Sequence, residues 1–186
     1  MSTTKNGSND KLPIANVRSK NGNEIKINKG IRMVPPWIES SACYARRMEL
    51  LIISRFMAEG FECFIPAVDD NGTDFVAKTS SGRFIELQIK ARKLKENEPG
   101  FCTMGSGRFQ VKNPVDRPNY YYIFIVEQLN TMWCLSAKEY LKECSRHKSG
   151  KNIDKTSLVL LSPGGKPRPK YQKYEIKQEE FSKKFK

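Results

Sequence analysis

GFECFIPAVDDNGTDFVAKTSSGRFIELQIKAR, residues 60–92, is the stretch on which the fold turns. Gly60 is a helix stop. Residues 61–65 read as a strand ended by Pro66, and the run from there to Asp74 is rich in turn formers. Residues 74–79 and 83–91 read as two strands joined through Ser80-Ser81-Gly82, a hairpin signal. In the second of them Ile85, Leu87 and Ile89 alternate with Glu86, Gln88 and Lys90, and a period of two puts the three polar side chains on one face.

Upstream of Gly60 the spacing predicts a helix over 42–59, with Ser40 or Ser41 as N-cap and Ile52, Ile53, Phe56 and Met57 on its apolar stripe. Glu49 lies three, four and seven residues before Ile52, Ile53 and Phe56, so it shares that stripe, an unusual place for a carboxylate. Downstream, 93–119 is rich in Gly and Pro and reads as a long irregular connection. Then follow a buried strand at 120–127, its antiparallel neighbour at 131–135, a helix at 137–144 and a strand at 157–161. Helix, strand, hairpin, strand, strand, helix predicts an α/β fold with a mixed central sheet. The domain organisation expected is a polar N-terminal extension at 1–40, a folded domain at 41–162 and a basic tail at 163–186 with a short helix near 175–185.

The chain has 186 residues, with 33 Lys and Arg against 20 Asp and Glu, a formal charge of +13. That imbalance favours a polyanionic partner, chiefly nucleic acid, through long-range attraction and counterion release. No apolar run approaches the ~20 residues needed to cross a bilayer, so a membrane partner is not expected. The opening MSTTKNGSND lacks an apolar segment of the secretory kind, and the expected location is the cytoplasm. Five widely spaced cysteines and a single histidine, His147, suit neither a disulfide framework nor a Cys/His zinc site.

Asp74 opens the first hairpin strand, and Gln88 and Lys90 share a face of its partner. Adjacent strands lie ~4.8 Å apart, so these side chains can converge on one cation, and Glu49 can join them if its helix packs across. Phosphodiester hydrolysis needs such a cation, hard oxygen ligands and a fixed positive group. Asp74 and Glu49 would supply carboxylates, Gln88 an amide oxygen and Lys90 the ammonium.

On these residues the stretch resembles the core of the PD-(D/E)XK nucleases, in the branch that reads Asp…Gln-x-Lys and includes resolvase-like proteins and some intron homing endonucleases. The resemblance covers about residues 42–136. It implies a restriction-endonuclease-like core, a mixed sheet flanked by helices, and Mg2+- or Mn2+-dependent cleavage of nucleic acid, DNA more than RNA. It assigns Asp74 to the motif aspartate, Gln88 to the (D/E) position, Lys90 to the motif lysine and Glu49 to the helix glutamate. Metal ligation would fall to Asp74, Gln88 and Glu49, and phosphate contacts to Arg92, Lys93 and Lys95. A homodimer would suit cleavage of both strands of a duplex.

The chain departs from the pattern at Met48, where many relatives have glycine, and in carrying Glu86 two residues before Gln88. Glu86 is either a group behind the ligands or a surface charge. Asp74 has an alternative as a turn residue, Lys90 as a solvated strand-end charge, and Glu49 as a partner of Arg46 or Arg55. Asp69 and Asp70 read as turn acids, with Asp70 able to touch a metal through water. Arg92, Lys93 and Lys95 read equally as a solvated basic run. The run Tyr120, Tyr121, Tyr122 reads as sheet core plus surface rather than a base-stacking platform, Trp133 is expected in the core and His147 on the surface. The alternative function is a nucleic-acid-binding module without catalysis; a third is an interaction protein whose basic tail docks an acidic partner.

Overall fold

Ser40 opens the first helix by accepting the N–H of Cys43 on its hydroxyl at 3.2 Å, and α1 then runs Ser41–Ala58. Tyr44, Met48, Ile52, Ile53 and Phe56 form its buried stripe, whereas Met57 is exposed; the stripe lies one residue further round than the sequence spacing suggested. The helix closes where Gly60, at φ +85°, donates to Met57 O and Phe61 donates to Phe56 O, a turn that a side chain at residue 60 would strain. This computed structural model describes residues 40–68, 72–94, 107–147, 150, 153–163, 165–177 and 182–185.

The hairpin forms as its turn residues dictate: β1 (Glu62–Phe64) pairs antiparallel with β2 (Phe75–Lys78), and β2 with β3 (Phe84–Arg92). A further strand, β4 (Arg108–Lys112), lies inside the stretch expected to be irregular. It precedes β5 (Tyr120–Val126), which pairs parallel with β3, and β6 (Thr131–Ser136), antiparallel to β5. The central sheet is therefore mixed, in the order β1-β2-β3-β5-β6. The helix α2 (Ala137–Glu143) starts with a capping box between Ser136 and Glu139. β7 (Ser145–Arg146) and β8 (Lys155–Val159) complete a second sheet, β4-β8-β7.

The alternation in β3 sorts the molecule into layers. Ile85, Leu87 and Ile89 join Ile123, Cys134 and the stripe of α1 in one core. Tyr120, Tyr122, Phe124, Trp133 and Leu135 face the other way and join Tyr140 of α2 with Phe109, Val111 and Leu158 of the second sheet. The chain is thus α/β, a mixed central sheet with α1 on one side and α2 plus a small sheet on the other. Among the described residues no helix is long and apolar enough to cross a membrane.

The expected C-terminal tail is not an appendage. A 3₁₀ helix at Pro169–Tyr174 buries Tyr171 and Tyr174 in one core, and Ile176 and Phe185 enter the other. Between them Glu175 bridges to Trp133 and Ile176 donates to Met132 O, so the segment covers the free edge of β6. Instead of the short helix expected near 175–185, Glu175 lies in that bridge and Ser182–Lys184 form one 3₁₀ turn. Phe185 is fully buried against Phe56 at 5.1 Å and Tyr121 at 5.3 Å, and its carbonyl accepts from Arg83. Apolar burial outweighs the basic composition that suggested a solvated end.

Candidate active site

β2 follows β3 only as far as the pair Phe75↔Leu87, so residues 88–92 of β3 outrun it and leave a notch at the sheet edge. Asp74 sits at that fork. Its N–H donates to Leu87 O at 2.9 Å, and its carboxylate accepts the backbone N–H of Ile89. The residues on either side of that N–H are Gln88 and Lys90. The Asp74 carboxylate is thus tied to the β3 backbone between these two residues.

Gln88 is 8% exposed and lies beside Tyr122, its register partner on β5. Its amide presses against Gly72: a Cβ there would come within 2.4 Å of Gln88 Nε2. Gly72 also has φ +72°, so this position needs glycine for both its conformation and its contact. Lys90 is half-buried beside Phe124, and among the described residues no carboxylate lies within ion-pair distance of its ammonium.

Glu49 lies on α1, which packs on the Ile85, Leu87 and Ile89 face of β3 and not, as the sequence reading required, across the face that carries Gln88 and Lys90. Arg47 points along the helix flank toward Glu127, beyond the end of β5, with bonds of 2.7 and 2.9 Å. Glu49 lies two residues later, about 200° further round the helix. Its side chain is 18% exposed and its carboxylate is paired with Arg46 at 2.9 Å. Of the expected phosphate contacts, Arg92 is exposed and its carbonyl accepts from Tyr44, while Lys93 lies over the Tyr44 ring at 5.9 Å. Lys95, Asp69 and Asp70 lie outside the described residues.

A network absent from the expected site holds the fork in shape. Tyr120 donates its hydroxyl to Gly72 O at 2.9 Å. Thr73 donates to Glu86 at 3.0 Å, and Arg117 donates to the same Glu86 oxygen at 3.1 Å while stacking over the Tyr120 ring at 4.1 Å. Burial pushes the Tyr120 phenol well above its ordinary pKa, aided by Tyr122 and opposed by Arg117, so it stays a donor at neutral pH. Glu86, open between two roles in the sequence, thus fastens the Thr73 side chain just before Asp74. Its place on the Gln88 face was readable from the strand period; its partner Arg117, 31 residues away, was not.

His147, expected on the surface, is half-buried and bonds Ser157 Oγ through Nε2 at 2.7 Å on the second sheet. Cys43, Cys63, Cys134 and Cys144 are free thiols, and burial pushes Cys134 up to about 12.

Among solved structures the chain is similar to a bacterial homing endonuclease, I-Ssp6803I, at 16% identity over 74% of this chain and 89% of that one, with a TM-score of 0.48. No protein-family model matches the sequence, and no curated protein matches it.

Proposed function

We propose that this chain is a divalent-metal-dependent endonuclease that hydrolyses phosphodiester bonds, with DNA as its substrate. The observation that carries the reading is the fork itself: the Asp74 carboxylate bound to the N–H of Ile89, between Gln88 and Lys90. The net charge of +13 supports a polyanionic substrate.

The donor set suits magnesium or manganese. Among the described residues no three His, Cys, Asp or Glu side chains cluster closely enough to cage a metal. Magnesium does not require such a cage; it is held by one or two carboxylates, keeps several waters and takes the rest of its shell from substrate phosphates. Asp74 and the Gln88 amide would hold it, with Glu49 the further carboxylate that the sequence resemblance adds, and once bound it would neutralise charge on the phosphoryl group and acidify a water. Asp74 is oriented by the backbone N–H it accepts. Lys90 Nζ supplies fixed positive charge, half-desolvated, for the anionic transition state or for positioning the nucleophile. Tyr120 and Glu86 keep the Gly72–Asp74 backbone still while this happens.

The test is cleavage of labelled duplex, single-stranded and branched DNA with magnesium or manganese, using Asp74→Asn and Lys90→Met. Each variant should lose at least about a thousandfold in rate, the scale of losing a metal ligand or a transition-state charge, with its thermal unfolding retained. Wild-type rates in both variants would remove the assignment.

A second reading, a nucleic-acid-binding module without catalysis, draws on one observation: the (D/E) position of the resemblance is held here by the neutral Gln88. It predicts salt-sensitive binding with no cleavage under any divalent cation.

A further inference from the structure

The second sheet, which the active-site reading does not use, has two unlike faces. Phe109, Val111, Thr156 and Leu158 point inward: Phe109 packs on Phe124 at 5.1 Å, and Thr156 bonds Tyr140 at 2.7 Å. The register fixes what points the other way. Arg108 pairs with Val159, Gln110 with Ser157 and Lys112 with Lys155 across β4 and β8, and Ser145 of β7 pairs with Ser157. His147 continues β7 by donating its N–H to Lys155 O and lays its ring on Ser157. Among the described residues the outer face therefore carries cations, an imidazole, an amide and the exposed Ser145 hydroxyl, with Val159 as its apolar side chain and no acid; Ser157, bonded to His147, is itself buried.

That composition differs from the places where cations meet acids on this chain. Several cations elsewhere are matched: Arg47 with Glu127, Lys78 with Glu62, Lys170 and Lys173 with Glu143. Among the described residues Arg108, Lys112 and Lys155 have no carboxylate within ion-pair distance. An ordinary solvated face intersperses both signs. This one collects phosphate-binding cations around side chains that donate to and accept from base edges, the division of labour seen in protein–DNA contacts.

We propose that the outer face of the β4-β8-β7 sheet is a docking surface for duplex DNA, resting on the nucleic-acid reading above. Three strands at ~4.8 Å spacing make a face about 10 Å across. The major groove of B-form DNA, about 12 Å wide, admits strands presented in this way. A-form RNA closes its major groove to side chains, and a single strand offers no such groove.

The experiment measures binding of the full chain to a labelled mixed-sequence DNA duplex by fluorescence anisotropy, in chelator so that nothing is cut. The double variant Lys112→Gln/Lys155→Gln should weaken binding by about tenfold or more and shrink the log–log salt slope by about 2, two phosphate contacts' worth. Lys138→Gln/Lys142→Gln removes equal charge from α2 and should move neither by more than about twofold. Gln110→Ala, which removes no charge, should lower the preference among duplex sequences and leave the salt slope unchanged. Equal losses in the two lysine pairs, or an unchanged double variant, overturn the proposal. So does a wild type that binds single-stranded DNA or duplex RNA as tightly as duplex DNA. Cleavage by a protein whose sheet variants bind normally would sink this inference and leave the nuclease; sheet-dependent binding without cleavage would do the reverse.

Discussion

Two clusters in this molecule use the same parts. Beside the fork, Glu86 takes Arg117, whose guanidinium stacks on Tyr120 at 4.1 Å. At the end of α2, Glu143 takes Lys170 and Lys173, and the Lys173 ammonium lies over Tyr174 at 4.7 Å. Each has an acid, a cation and a tyrosine ring beneath the cation. They differ in where the hydrogen bonds end. Tyr174 donates back to Glu143, so that cluster closes on itself and fastens the C-terminal segment to α2. Tyr120 donates to Gly72 O, and Glu86 accepts from Thr73, so the other cluster ends on the backbone that presents Asp74. Identical chemistry serves anchoring in one place and positioning in the other, and composition alone would not tell them apart.

The strongest way to break this contrast is Gly72→Ala. Its Cβ must sit at positive φ and displace the Gln88 amide. The expected cost is about 1–2 kcal/mol of stability, read by thermal unfolding, with a cleavage rate lowered by about a hundredfold because the amide proposed as a metal ligand is moved. A variant that cuts normally would show that the Gly72–Gln88 contact is mere packing.

Tyr120→Phe keeps the ring and removes only the hydroxyl. Stability should fall by about 1 kcal/mol, while the maximal rate drops by about tenfold with little change in KM, and the manganese needed for half-maximal rate rises. Loss of stability with an unchanged metal titration would demote Tyr120 to a structural bond.

Glu143→Gln sharpens the comparison from the other side. The side chain is only 7% exposed and gathers two ammonium groups and a phenol. Its loss should cost about 1–2 kcal/mol and leave the cleavage rate of the folded protein unchanged.

The smallest effect is the acid limb of that same cluster. The Lys170 bond, with help from Lys173 and Tyr174 and against burial, holds the Glu143 carboxyl below its usual range. A depressed folded-state pKa contributes stability that is full above the unfolded value of about 4.3 and is lost as pH falls through the folded value. The stability gap between wild type and Glu143→Gln should therefore be constant at neutral pH and close on acidification below about pH 4.

Much was legible in the chain before any coordinates. The helix expected at 42–59 spans Ser41–Ala58, and the hairpin strands, β5, β6 and α2 fall within a residue or two of their expected places. Each is specified locally: an N-cap serine and a following glycine, a turn at Ser80-Ser81-Gly82, a period of two or of 3.6. The same period placed Glu86, Gln88 and Lys90 on one face, which is why the candidate site could be named from residues alone.

What lay beyond that reading depends on distant partners. β4 sits among Gly and Pro residues and is a strand because β8, more than forty residues later, pairs with it. Phe185 is core because Phe56 and Tyr121 leave room for a ring, though its neighbours in sequence are lysines. Tyr120 looked like any sheet tyrosine until its hydroxyl was found on Gly72, 48 residues earlier. Local propensity and periodicity are written into neighbouring residues, so the sequence by itself determined the elements and their faces. Long-range pairing depends on which surfaces meet once those elements pack, so only the tertiary structure decided the second sheet, the buried C-terminal segment and the support beneath Asp74.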